Sequence, residues 1–171
     1  AYDHDQQRIF VVNANDGVVD VLDAATPSAL AKIASINVQA AGPALGAANS
    51  VAYRNGVLAV AIEAADKQQN GFVALYSGND LSLLALLEVG ALPDMLTFTP
   101  DGKKILVANE GEPNAAYSVD PEGSVNIIDL GNGVAAATVQ RVGFADFNIG
   151  AARNAELPVA IINLSAVRTL P

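Results

Sequence analysis

Ile105-Leu106-Val107-Ala108-Asn109 is a short apolar run, and runs like it recur at three places in the chain. Its counterparts are Ile9-Phe10-Val11-Val12-Asn13 and Val57-Leu58-Ala59-Val60-Ala61, so the starts at 9, 57 and 105 lie 48 residues apart. After each run come a polar loop, a glycine and an alternating segment: Gly17 to Asp23, Gly71 to Tyr76, and Gly123 to Asp129. Alternation of apolar and polar residues marks half-buried strands. A third run follows each time, at Ala31 to Val38, Leu83 to Val89 and Ala135 to Val142. Helix propensity argues for a helix over Ser28 to Ile36, but its counterpart Thr138 to Val142 alternates like a strand, and the repeat takes precedence. A leading strand is read at Ser50 to Tyr53 and at Met95 to Thr99, each followed by a hairpin signal, Arg54-Asn55-Gly56 or Pro100-Asp101-Gly102.

Four short strands in about 48 residues is the arithmetic of a β-propeller blade. The expected fold is therefore all-β, with units at about 8–48, 49–92 and 93–143 and a partial unit at 144–171. The first unit is expected to lack its leading strand, which the other end of a propeller chain often supplies. In the tail, Val159 to Leu164 copies Val125 to Leu130 only 34 residues later, whereas Gly71 and Gly123 are 52 apart. That arithmetic favours residues absent between Phe147 and Val159 over a shortened blade. Three and a half blades make a portion of a larger, seven-bladed-type ring. Its open strand edges need covering, by the remainder of the propeller or by another chain.

Composition narrows the function classes. Of 171 residues, 51% are hydrophobic and 16% charged, which excludes intrinsic disorder. Mean hydropathy is +0.32, yet every long apolar stretch is interrupted by polar residues, so no membrane insertion is expected. Eighteen acidic residues oppose nine basic ones, for a net charge of −9. No nucleic-acid partner is expected, because phosphate binding needs clustered Lys and Arg. Cysteine is absent, which removes disulfides, thiolate metal sites and a cysteine nucleophile. Ala1 leads directly into polar Tyr2-Asp3-His4-Asp5, as a mature exported chain would after cleavage.

The most promising site is the loop from Asn109 to Gly123, which carries Glu110, Glu112, Asp120 and Glu122 beside the neutral donors Asn109 and Asn114. Calcium takes six to eight oxygens from such groups, and these four carboxylates are the candidate metal ligands. The plainer reading is a solvated acidic loop whose turns are fixed by Pro113 and Pro121. The matching loop of the second unit holds Glu63, Asp66, Lys67, Gln68, Gln69 and Asn70, and a radial arrangement of blades puts both loops on one surface. His4 is the sole histidine, too few for a dinuclear metallophosphatase. Asp80-Leu81-Ser82 has the form of a phosphatase nucleophile motif, but its position between two strands reads as a turn. No P-loop, Gly-x-Gly-x-x-Gly or Gly-x-Ser-x-Gly motif occurs. Tyr53, Phe72, Tyr76 and Phe98 are spaced as core strand residues.

The segment Gly90 to Asn114, with Leu92-Pro93-Asp94-Met95 and Pro100-Asp101-Gly102-Lys103-Lys104 leading into Asn109-Glu110-Gly111-Glu112-Pro113, resembles a signature of the choice-of-anchor I family. Tyr117 to Val125, Val60 to Ala64 and Asn154 to Pro158 extend the resemblance over most of residues 8–157. The family comprises exported bacterial β-propeller proteins related to animal mesenchyme-specific cell-surface glycoproteins. Some members are described as alkaline phosphatases or are joined to metallophosphatase and nucleotidase modules. The resemblance implies an extracytoplasmic propeller, whether periplasmic, secreted or on the cell surface. Fold and family label do not fix chemistry. The expected function is a non-catalytic portion of such a propeller serving binding or scaffolding. The alternatives are part of an alkaline-phosphatase-like phosphohydrolase, and a lactonase-like propeller enzyme suggested by fold alone.

Overall fold

The computed structural model describes residues 1–158; Val159 to Leu164, on which the fourth-unit reading rests, lie outside them. Twelve strands form three four-stranded antiparallel sheets among the described residues. The first sheet holds β1 (Tyr2–Asp3), β2 (Arg8–Asn13), β3 (Val18–Asp23) and β4 (Ala31–Asn37). The second holds β5 (Leu45–Arg54), β6 (Val57–Ala64), β7 (Asn70–Ser77) and β8 (Leu83–Ala91). The third holds β9 (Pro93–Phe98), β10 (Lys104–Asn109), β11 (Ser124–Asp129) and β12 (Thr138–Val142). Each sheet pairs its strands in chain order. β5 lies against β9 on one side and against β1 and β2 on the other, so the first strands form the inner ends of the sheets. This is β-propeller architecture.

The turns follow from their residues. Asn55 (φ 49°) and Gly56 (φ 78°) both occupy the left-handed region, as a two-residue hairpin of the type that matches strand twist requires. In the longer β9–β10 turn, Asp101 Oδ1 accepts from Thr99 Oγ1 at 2.6 Å and from the Lys103 N–H at 3.0 Å. Residues 31–37 form a strand, as the repeat required against helix propensity.

Two expectations are corrected. The first unit does not lack its leading strand: Tyr2 and Asp3 pair with Ile9 and Arg8, before the expected start at residue 8. The polar turn that follows makes this possible, because Asp3 Oδ1 accepts the N–H groups of Asp5 and Gln6 at 3.1 and 3.2 Å. Residues 144–158, the described part of the expected fourth unit, contain no strand; its expected strand, Val159 to Leu164, lies outside the described residues. They carry short 3-10 turns at Ala145–Phe147 and Asn154–Glu156, with Arg153 paired to Glu156 at 2.8 Å.

Second, the 48-residue spacing hides a slip. Ile9 pairs with Leu22, Leu58 with Tyr76, and Ile105 with Ile128. Leu58 and Ile105 both face the preceding sheet, so the equivalent residues are 9, 58 and 105, spaced 49 and then 47. The slip arises because the β5–β6 hairpin has two turn residues, where β1–β2 has four and β9–β10 has five. A one-residue shift moves every strand side chain to the other face.

Two hydrophobic cores lie between the sheets. Phe10, Val19, Val21 and Ile36 of the first meet Leu58, Val60, Ile62 and Tyr76 of the second. Ala59, Ala61, Val73 and Leu75 of the second meet Leu96, Ile105, Val107 and Ile128 of the third. The second sheet is covered on both faces, which is why β6 is a nearly unbroken apolar run, whereas β10 alternates. Phe10 stacks on Tyr53 with ring centroids 5.5 Å apart, and Tyr76 is buried, as core roles require.

Candidate functional site

The loop between β10 and β11 is anchored by its backbone. The N–H groups of Glu110 and Gly111 donate to the carbonyls of Leu92 and Ala91 at 2.9 and 3.2 Å. Gly111 takes φ 66°, and a Cβ there would stand 2.5 Å from the Pro121 carbonyl oxygen, so the loop crosses itself only at a glycine. Further out, Asn114 Oδ1 accepts the Ser118 N–H at 3.0 Å, and the Asn114 N–H donates to the Val119 carbonyl at 2.9 Å. Asn114 is thereby a turn-former rather than an open oxygen donor.

Glu110, Asp120 and Glu122 line one shallow cleft of about 340 Å³, together with Phe144 and Asn148. Glu112 is not part of that lining, and its carbonyl instead accepts Gln68 Nε2 at 3.3 Å. The loops of the second and third sheets therefore meet on one surface, as the radial reading expected. No three His, Asp or Glu side chains among the described residues are grouped so as to hold a metal ion. Calcium requires six to eight converging oxygens, and the four expected carboxylates do not supply a preformed site.

Beneath the loop is a polar network that sequence reasoning missed. Asn109 Nδ2 donates to Asn126 Oδ1 at 2.8 Å and to Ser124 Oγ at 3.1 Å. The Gly90 N–H of the second sheet donates to the same Asn126 Oδ1 at 2.9 Å. All three polar side chains are buried. Only glycine fits at position 90, since a Cβ would lie 2.5 Å from Ser124 Oγ and 2.8 Å from Asn109. The available signal was the asparagine that closes the apolar runs at Asn13 and Asn109.

At the opposite end of the sheets, Arg8 donates to Asp3 Oδ2 at 3.1 Å and to the Gly78 carbonyl. Asp3 is fully buried. Burial raises its pKa, but hydrogen bonds from the Gln6 N–H, Arg8, the Tyr53 hydroxyl and the Asp5 N–H outweigh that and hold it below the ordinary value. These groups clamp the first sheet to the second. A shallow polar hollow beside them is lined by Asp5, Gln6, Tyr53, Gly56, Ser77 and Asn79.

The remaining candidates resolve as structure. Asp80 Oδ1 accepts both the Ser82 hydroxyl (2.7 Å) and the Ser82 N–H (3.1 Å), which lowers its carboxyl to about 2. Ser82 is a turn hydroxyl donating to a carboxylate. His4 is exposed in the first turn, its ring edge-on to Tyr2 at 6.2 Å. No helix among the described residues is long and apolar enough to cross a membrane.

Comparison with known proteins agrees with the architecture. No curated relative matches the chain. Hydrazine synthase of Kuenenia stuttgartiensis superposes with a TM-score of 0.61 at 18% identity, covering 86% of this chain and 42% of that one. A protein from Lactobacillus plantarum superposes with a TM-score of 0.52 at 19% identity, covering 84% and 40%. The chain thus spans about two fifths of each, and at such identities the likeness concerns the fold alone. The family model described as the choice-of-anchor I domain matches residues 1–168. With its propeller sheets and the Gly90 to Asn114 signature placed at a sheet junction, the chain belongs to the choice-of-anchor I family.

Proposed function

We propose that this chain is a non-catalytic, scaffolding or binding portion of an extracytoplasmic, surface-associated β-propeller, joined through its open sheet faces to the remainder of that propeller or to another chain. One observation carries the reading. The outward face of the third sheet presents Leu106, Val125, Ile127 and Val142, with Leu106 39% and Val142 40% exposed. The matched residues of the first sheet, Phe10, Val19, Val21 and Ile36, are buried against the second sheet. A face built to pack another sheet, left uncovered, is an assembly surface.

The test uses the purified chain. It should bind an apolar dye such as ANS strongly, and it should not hydrolyse p-nitrophenyl phosphate with or without calcium. Calcium-dependent turnover that disappears in Glu110→Gln and Glu112→Gln variants would establish the phosphohydrolase alternative and overturn this reading.

A further inference from the structure

Three buried polar atoms lack a hydrogen-bond partner among the described residues: Arg8 Nε, Asn109 Oδ1 and the Tyr76 hydroxyl. The first two belong to side chains already fixed by other bonds, Arg8 to Asp3, and Asn109 to Asn126 and Ser124. The Tyr76 side chain has no such bond. It is 4% exposed, and burial pushes its pKa up. Buried tyrosine hydroxyls ordinarily find a partner, and an orphan one costs free energy.

Tyr76 borders a hollow of about 270 Å³ at the seam between the first and second sheets. Ile36 of β4, with Ala40 and Ala41 of the turn after it, lines the side of the first sheet. Leu81, just before β8, and Leu83, its first residue, line the side of the second. Leu81 is fixed at φ 62°, its N–H donating to the Ser77 carbonyl at 3.0 Å. Two exposed polar residues complete the lining, and their oxygens are engaged within the first sheet. The Ser35 hydroxyl donates to Asp20 Oδ1 at 2.6 Å, and Asn37 Oδ1 accepts the Gln39 N–H at 3.0 Å. Among the described residues, no charged side chain lines the hollow.

These properties define a ligand. At about 30 Å³ for each water-sized group, the hollow holds about nine non-hydrogen atoms. Its leucine, isoleucine and alanine walls favour an apolar body. An ion would lose hydration there with no counter-charge in return. The orphan hydroxyl is a donor in need of one acceptor. We propose that this seam binds a small neutral molecule of up to about nine non-hydrogen atoms, with an apolar body and one carbonyl-type oxygen that accepts from the Tyr76 hydroxyl. The site is separate from the open sheet faces and does not depend on the assembly reading.

Amide chemical shifts of the purified chain, titrated with three compounds of that size, test this. Acetophenone carries a carbonyl, ethylbenzene keeps the shape without the oxygen, and benzoate adds a charge. Acetophenone should give saturable shifts at Ile36, Asn37, Leu81 and Leu83. Ethylbenzene should bind about threefold to tenfold more weakly, the loss of one neutral hydrogen bond, and benzoate should not bind. Tyr76→Phe removes the orphan hydroxyl without opening a cavity. It should keep or raise the urea midpoint and bind acetophenone no better than ethylbenzene. Ala40→Trp, at an exposed position of the lining, should bind neither. Equal affinity for acetophenone and ethylbenzene, a preference that survives Tyr76→Phe, or binding of benzoate as tight as that of acetophenone overturns the proposal. Absence of shifts with all three compounds at millimolar concentration means that the hollow takes only water, and overturns it too. Either failure leaves the assembly reading to be decided by dye binding.

Discussion

Asp20 and Asp80 are both held at about 2, by Lys32, Ser35 and Asn13 in one case and by Ser82 and Ser77 in the other. In an unfolded chain each carboxyl titrates near about 4. A depressed folded-state pKa adds stability that is fully present above the unfolded value and is lost as pH falls through the folded one. Urea midpoints should therefore be flat above about pH 4 and fall between about pH 4 and 2. Asp20→Asn and Asp80→Asn should each reduce that slope, and the double variant should reduce it further. Gly90 makes a second residue-scale case. Gly90→Ala places a methyl 2.5 Å from Ser124 Oγ, within the buried amide network. The expected cost is about 1–3 kcal/mol, read as a lowered urea midpoint with unchanged slope. Gly90 was visible in the sequence only as the glycine after a strand. Its partners Asn109, Ser124 and Asn126 lie 19 to 36 positions further on, and only the pairing of β10 with β11 and the packing of two sheets bring them to it.

At the scale of elements, the repeat carried most of the information. It identified β4 as a strand where propensity favoured a helix, because packing against the neighbouring sheet outweighs local preference. It failed in two places, for separate reasons. The equal spacing of the apolar runs concealed the one-residue slip, since turn length and strand register change together and a run such as Val57 to Ala61 is apolar on both faces. β1 escaped notice because two residues, Tyr2 and Asp3, show no periodicity. Its place is secured from outside the strand, by Arg8 and Tyr53 holding the buried Asp3 carboxylate. Asp3→Ala leaves the Arg8 guanidinium buried without its counterion, and loss of one partner of such a pair costs about 3–5 kcal/mol. Hydrogen exchange should show the amides of β2 nearest the turn losing protection first, while those of β10 and β11 keep theirs.

For the whole molecule, the acidic loop was the conspicuous candidate and the sheet faces were the informative one. Charge is easily read along a sequence, whereas a face depends on which neighbour is present. Leu106 and Ile105 make the point as adjacent residues of one strand. Ile105 is fully buried against the second sheet, and its neighbour points outward. Ile105→Ala should cost about 2–5 kcal/mol through lost burial and a residual cavity. Leu106→Lys removes apolar surface from an exposed position, and in an isolated molecule it should alter stability by no more than about 0.5 kcal/mol. If a further sheet covers that face, the same substitution buries an unpaired ammonium and breaks the assembly. The concentration dependence of thermal melting distinguishes the cases, because association stabilises by mass action. The unaltered chain should melt higher as concentration rises. Leu106→Lys should melt at a fixed temperature, equal to that of the unaltered chain at high dilution. A melting temperature independent of concentration in both proteins would mean that the outward face of the third sheet does not pair with a second copy of the chain.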